Sequence, residues 1–209
     1  MANGIALAGD KQESGREALV NQWTAEGRVF VANNPVIGQP ETMSATGTAI
    51  DLTKPSIRFT IPAGVLVVPI HVALSVVTVA AKDDIFAVIV SETDSYTSGG
   101  DAVATLVNNA VVQGDAGALR STGVTNLHYS DTAIVEAGMT NPRLLKIQEF
   151  QGPTVVGTVN PEYNILKGDP MVYIVGPASF IVHHVQETTA AEAEFSLSWA
   201  ELNINDFTN

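Results

Sequence analysis

The sequence contains no cysteine in its 209 residues. Disulfide bonds, thiolate metal sites and cysteine nucleophiles are therefore excluded. Small secreted domains often depend on disulfides, so their absence favours assembly in a reducing cytoplasm. Charged residues are also sparse, at 15% of the chain against 45% hydrophobic residues. A disordered chain has the opposite balance, so this chain can bury a substantial core.

Positive charge is the scarcer sign, with 10 Lys and Arg against 22 Asp and Glu and a net charge of -12. No cluster of basic residues occurs. Such a surface repels phosphate groups, which argues against direct binding to nucleic acid or to an anionic membrane. The uncharged segment Gly64–Ala81 is valine-rich and contains Pro69, which favours a long strand over a membrane helix. We expect no secretory signal in Met1–Leu7, which lacks a basic start followed by a long apolar run.

Alternation of apolar and polar residues is the main structural signal. Ile57 to Ile61 alternates in this way and predicts a half-buried strand. Leu66–Val76 predicts a long strand with one strictly apolar inner face and one mixed face. Pro69 has no amide donor and indicates an edge or a bulge there. Near the end of the chain, Phe195–Trp199 shows the clearest alternation.

The chain divides into an N-terminal arm, residues 1–26, and a single domain, residues 27–209. The segment Lys11–Trp23 has a composition that predicts one short helix in the arm. Polar residues Lys82–Asp84 predict the turn of a β-hairpin, and residues 91–143 predict long loops. Further strands are predicted at Ile85–Val90, Ala104–Val107, Leu144–Phe150, Thr154–Val159, Met171–Val175 and Phe180–Val185. The fold class is therefore all-β, a jelly-roll-like antiparallel β-sandwich.

Residues that could hold a metal do not share a face in this pattern. Neighbouring residues of a strand point to opposite faces, so His183 and His184 are not expected to share an ion. Glu92, Asp94 and Asp101 lie in a loop of the oxygen-rich kind that calcium prefers, but their spacing matches no EF-hand. We predict no metal site and no cofactor.

Catalytic motifs are also missing from the sequence. It has no Gly-x-Ser-x-Gly elbow, no Gly-x-Gly-x-x-Gly and no P-loop. Carboxylates for glycoside hydrolysis exist, but aromatic residues that would form sugar platforms make up only 6% of the chain. We predict that the protein is not an enzyme and has no catalytic residues. The candidate carboxylates for such a reaction are Glu149, Glu162, Glu187 and Glu194.

Three segments resemble jelly-roll virion proteins of tailed bacteriophages. Pro55–Val72 (PSIRFTIPAGVLVVPIHV) is similar to their first core strands. Gly168–Ala178 (GDPMVYIVGPA) and Phe195–Leu202 (FSLSWAEL) are similar to their closing strands. The resemblance implies a head decoration or minor capsid protein that forms homo-oligomers, trimers being favoured. It further implies the major capsid protein as partner and a place on the capsid surface after assembly in the host cytoplasm.

Contact with other subunits is thus the first functional hypothesis. Trp23 and Phe30, in and just after the arm, and Pro69 and His71, on the mixed strand face, are the candidate interface residues. The alternative is a carbohydrate-binding or adhesive β-sandwich, for which Tyr96, Tyr129 and Tyr163 would be the loop aromatics. A β-sandwich enzyme is a third possibility and predicts a cleft with clustered carboxylates or histidines.

Overall fold

The computed structural model describes residues 8–34, 38–43, 49–77, 83–102, 107–108, 126–129, 133–151, 159–186 and 191–204. It contains one α-helix, α1, one 3-10 helix, η1, and fifteen strands within those residues. In chain order these are α1 (Ala8–Ala25), β1 (Val29–Asn33), β2 (Glu41–Met43), β3 (Ile57–Ile61), β4 (Val65–Val76), β5 (Asp83–Ser91), β6 (Tyr96–Ser98), β7 (Asp101–Ala102), β8 (Val107–Asn108), β9 (Asn126–Tyr129), β10 (Val135–Glu136), β11 (Arg143–Gln151), β12 (Glu162–Asn164), η1 (Ile165–Lys167), β13 (Ile174–Val175), β14 (Ala178–Gln186) and β15 (Ala191–Asn203).

Two antiparallel sheets form a sandwich. The first sheet has the order β12-β4-β15-β1-β8, with β13 beside β4 and β2 beside β15. The second sheet has the order β11-β5-β14-β3-β9-β7. Strands β3, β4 and β5 alternate between the two sheets, and so do β14 and β15. This is jelly-roll topology, so the predicted fold class is confirmed.

The core lies between the sheets, and its centre is aromatic. Phe195, Leu197 and Trp199 of β15 are all buried in it, as the alternation predicts. The ring of Trp199 meets that of Phe59 edge to face, with centroids 4.6 Å apart, and stacks on Phe30 at 6.2 Å. These contacts join strands of both sheets through one side chain.

The long strand β4 contains a bulge that the sequence only partly predicts. Trp199 pairs with Pro69, whereas Ser198 pairs with His71, so Ile70 is an extra residue in β4. Of the edge or bulge predicted at Pro69, the structure has a bulge, at the neighbouring Ile70. One extra residue shifts the side-chain alternation by one position. The prediction of a single inner face along Leu66–Val76 is wrong for this reason.

The predicted hairpin between β4 and β5 is also wrong. The two strands lie in different sheets, so the chain crosses from one face of the sandwich to the other between them. A polar turn fits both a hairpin within one sheet and a crossover between two sheets, so the sequence does not distinguish these connections. Residues 78–82 lie outside the described part of the chain.

Helix α1 is longer than the short helix predicted in the arm, and it docks on its own chain. Arg16 Nη1 donates to the carbonyl oxygens of Ile165 (2.8 Å) and Asp169 (3.0 Å). Near the C-terminal end of the helix, Trp23 is 6% exposed and its carbonyl accepts from the amide of Arg28, directly before β1. The helix therefore contacts both η1 and β1.

The segment predicted as long loops, residues 91–143, forms short strands within its described parts. β7 and β9 extend the second sheet beyond β3, β8 extends the first sheet beyond β1, and β6 pairs with β10 in a separate ribbon. Of the strand predicted at Ala104–Val107, only Val107 is described, and it belongs to β8. Of Thr154–Val159, only Val159 is described, as an isolated bridge to Val76. Met171–Val175 is a strand only at its last two residues.

No helix in the described part of the chain is both long and apolar enough to cross a membrane.

Candidate functional site

A groove of about 640 Å³ lies on the outer face of the first sheet. We call it the outer groove. Strands β4 and β15 form its floor, and β1 and the β12–η1 segment form its sides. Its polar lining residues are Asn33, Asn34, His71, Ser75, Asn160, Glu162, Lys167, Glu194 and Ser196.

The groove is polar because it uses the outward half of two amphipathic strands. In β15, Glu194 and Ser196 alternate with the buried residues of the core. In β4, His71 and Ser75 do the same beyond the bulge. The mixed strand face seen in the sequence is thus the floor of the groove.

Glu162 is the electrostatic centre of the outer groove. Lys167 Nζ donates to its Oε1 at 2.6 Å, and His71 Nε2 lies 3.4 Å from its Oε2. The hydrogen bond from Lys167, reinforced by the charge of Lys167 and by His71, lowers the pKa of the Glu162 carboxyl. At neutral pH the groove therefore presents a fixed carboxylate flanked by two donors.

The hydroxyl of Ser75 forms a hydrogen bond with an amide side chain and not with a general base. Ser75 Oγ and Asn160 Oδ1 are 2.8 Å apart. The hydrogen bonds in the described part of the groove form no Ser–His pair of the kind that activates a nucleophile. Within the described residues, no three His, Asp or Glu side chains are grouped to hold a metal ion. The arrangement supports binding of a polar partner.

Three of the four predicted interface residues pack inside the chain. Trp23, Phe30 and Pro69 are buried, the first two within the hydrophobic core, which accounts for their size without a neighbouring subunit. His71 is partly exposed and lines the outer groove. Among the four, His71 alone is positioned to meet another molecule.

The three tyrosines considered as loop aromatics lie on strands. Tyr163 and Tyr129 are buried in the core. Tyr96 is 36% exposed, but its ring stacks on His128 with centroids 4.8 Å apart. None of the three lines the outer groove.

His183 and His184 point to opposite faces of the second sheet, as predicted. His184 lies on the core side of the sheet, where its ring stacks on Phe150 and its Nε2 lies 3.5 Å from Asp84 Oδ2. His183 faces the other side, near the segment that holds Asp51. Burial lowers the pKa of His183 to about 4.

The carboxylates considered for calcium have separate partners. Glu92 accepts from Asn141 (2.8 Å) and Arg143 (2.6 Å), whereas Asp94 pairs with Arg58. Asp101 lies in β7, paired with β9.

Of the carboxylates considered for glycoside hydrolysis, Glu162 and Glu194 share the outer groove. Glu149 is in β11 of the other sheet, and Glu187 lies outside the described residues.

A buried ionic cluster around Arg58 was not predicted from the sequence. Arg58, in β3, pairs with Glu136 and Asp94, and its guanidinium lies 4.7 Å from the centroid of the Tyr96 ring. Glu136 Oε2 also accepts from Ser95 Oγ at 2.6 Å. All these partners belong to the β5–β11 connection, so Arg58 anchors that connection to the second sheet.

The alternation around Ile57 to Ile61 places Arg58 on the polar face of a half-buried strand, which suggested exposure. The structure buries it completely because the β5–β11 connection covers that face. The sequence indicates the Arg58 ion pairs only through one isolated arginine in a predicted strand and several carboxylates in a long later segment. A pairing across 78 residues cannot be located from such a signal alone.

Comparison of the chain with protein-family models, with curated proteins and with solved structures gave no match. Function is therefore inferred from the jelly-roll fold, from the charge of the chain and from the outer groove.

Proposed function

We propose that the chain is a structural protein of a phage virion, a capsid decoration or minor head protein that acts through oligomeric assembly and not through catalysis. The observation that carries this proposal is the jelly-roll topology of the two sheets. It supports the resemblance because Pro55–Val72 corresponds to β3 and most of β4, and Phe195–Leu202 to most of β15. Two of the three segments that carry the resemblance are thus central strands of the sandwich, whereas the third, Gly168–Ala178, contains β13 and the first residue of β14.

The charge of the chain supports protein partners. A net charge of -12 disfavours contact with packaged nucleic acid. We therefore propose a homo-oligomer, with a trimer favoured, on the capsid surface and in contact with the major capsid protein. The outer groove is a candidate for such a contact, since it presents both signs of charge around Glu162.

The test combines purified chain with phage heads that lack it and measures co-sedimentation. The wild-type chain should bind heads with saturation. Lys167→Glu reverses the charge beside Glu162 and should weaken binding, whereas Lys54→Glu, at an exposed site outside the groove lining, should not. Failure of the wild-type chain to bind any such head would count against the proposal.

Carbohydrate binding is the second candidate, and the size and polarity of the outer groove favour it. The groove would hold a sugar through its carboxylates, amides and hydroxyls, without an aromatic platform from the three tyrosines. A glycan array with the wild-type chain and Glu162→Gln tests this. Binding that is lost in the variant would support it, and an array without signal would exclude it.

A further inference from the structure

Strand β11 forms one edge of the second sheet and is long for an edge. It has nine residues and pairs with β5 on one side. In the described part of the chain, no strand pairs with its other side. A bulge lies between Leu144 and Lys146. The six residues beyond it, Lys146–Gln151, offer roughly 20 Å of regular backbone donors and acceptors to another strand at about 3.4 Å per residue.

Apolar side chains stand exposed on the outer face of this edge strand. Leu144 is 54% exposed and Ile147 is 49% exposed. They pair with Ile89 and Ala87 of β5, which are buried on the side of the sheet away from the sandwich core. The apolar surface therefore continues from β5 onto β11 and becomes exposed only at the edge.

Charge also distinguishes this edge from the rest of the chain. β11 carries two basic residues, Arg143 and Lys146, and one acidic residue, Glu149. The chain as a whole has a net charge of -12. Arg143 is paired with Glu92 and Lys146 with Asp169, so most of the charges at this edge cancel. A second copy is therefore repelled less here than over the rest of the acidic surface.

We propose that a second copy of the chain pairs with this edge, β11 against β11, around a two-fold axis at Ile147. In this register Ile147 lies opposite its own counterpart, and Lys146 lies opposite Gln148. No like charges lie directly opposite each other, which is the condition that stable cross-strand pairs require. The contact makes one continuous sheet through two chains and covers Ile147 and Leu144.

This contact deepens the proposed function, because it names one surface through which copies assemble. A two-fold contact is compatible with a trimer built from other surfaces, since a two-fold axis perpendicular to the three-fold axis of the trimer gives a closed hexamer of dihedral symmetry. The contact does not depend on the capsid, so it can be tested on the isolated protein.

The absence of cysteine makes disulfide trapping the direct experiment. Antiparallel partners have Cα atoms about 4.5–5.5 Å apart, within the range that a disulfide spans. Ile147→Cys should therefore form a covalent dimer on mild oxidation at micromolar concentration. Val135→Cys, at a site that is 40% exposed on β10, is the matched control. We expect at least about tenfold more dimer from Ile147→Cys, because pairing raises the effective thiol concentration from micromolar to millimolar.

A mixture of two further variants tests the register. Lys146→Cys mixed with Gln148→Cys should cross-link more than either variant alone, because these residues lie opposite each other only between two copies. Equal cross-linking of Ile147→Cys and Val135→Cys, with no gain in the mixture, would overturn the proposal. If Ile147→Cys forms no more dimer than Val135→Cys while the wild-type chain still assembles and binds heads, this contact is wrong and the proposed function stands. If Ile147→Cys cross-links as expected but the chain binds no head, this contact stands and the proposed function fails.

Discussion

Arg58 Nε donates to Glu136 Oε1, and both side chains are fully buried. Arg58 lies in β3 of the second sheet, and Glu136 lies in β10, within the connection between β5 and β11. The ion pair therefore fixes a long excursion of the chain to the sandwich. Breaking such a pair by removing one partner leaves a buried charge without compensation.

Arg58→Met should destabilise the fold by roughly 3–5 kcal/mol because Glu136 then remains charged and buried. The double variant Arg58→Met with Glu136→Met should recover a large part of that loss, since no fully buried charge is left uncompensated and Asp94, the other partner of Arg58, is 39% exposed. Denaturant unfolding followed by the fluorescence of the two tryptophans measures both. The control is Arg143→Met, whose pair with Glu92 is exposed and should matter little. Equal stability of Arg58→Met and Arg143→Met would contradict the anchoring role of Arg58.

The docking of α1 should depend on the buried side chain of Trp23 and not on the exposed side chain of Leu19. Trp23→Ala leaves a cavity in the core and should cost roughly 3–5 kcal/mol of unfolding free energy. Leu19→Ala, on the same helix at a residue that is 38% exposed, should cost less than about 0.5 kcal/mol. Amide exchange in α1 should become faster in the first variant alone. If exchange in the helix were unchanged in Trp23→Ala, the helix would not be held by that side chain.

Stability should fall as the pH is lowered from about 6.5 towards 4, and His183 should account for much of the loss. Burial lowers the pKa of His183 from 6.5 to about 4, so in this window the unfolded chain binds a proton that the folded chain does not. Because one pH unit corresponds to about 1.4 kcal/mol, the full effect is on the order of 3 kcal/mol.

The measurement is denaturant unfolding between pH 7 and pH 4.5 (about the ordinary range of histidine titration). His183→Gln should flatten the profile, leaving a smaller slope from His128, whose pKa burial also lowers. A His183→Gln profile as steep as that of the wild type would refute the assignment.

Local alternation predicted the framework of the fold. β3 and β15 lie where the period-two patterns placed them, and the burial of Trp199 and its neighbours follows from the same pattern. The further strands predicted at Ile85–Val90, Leu144–Phe150 and Phe180–Val185 lie within β5, β11 and β14. These predictions succeed because one face of each strand has to meet the core.

Features that depend on pairing between distant strands were not predictable in the same way. The bulge at Ile70 requires knowledge of how β4 aligns with β15, and the sheet change between β4 and β5 requires knowledge of the whole topology. The outer groove was visible only as a mixed strand face that included His71. Its other side, from Asn160 to Lys167, comes from a segment about 90 residues later.

The central claim is that the protein works by assembling with copies of itself. Native mass spectrometry of the purified chain at micromolar concentration tests this most directly. We predict an oligomer of at least two 22.0 kDa chains, with the trimer or the hexamer built from it as the favoured species. A single species at 22.0 kDa across the micromolar range would contradict the claim.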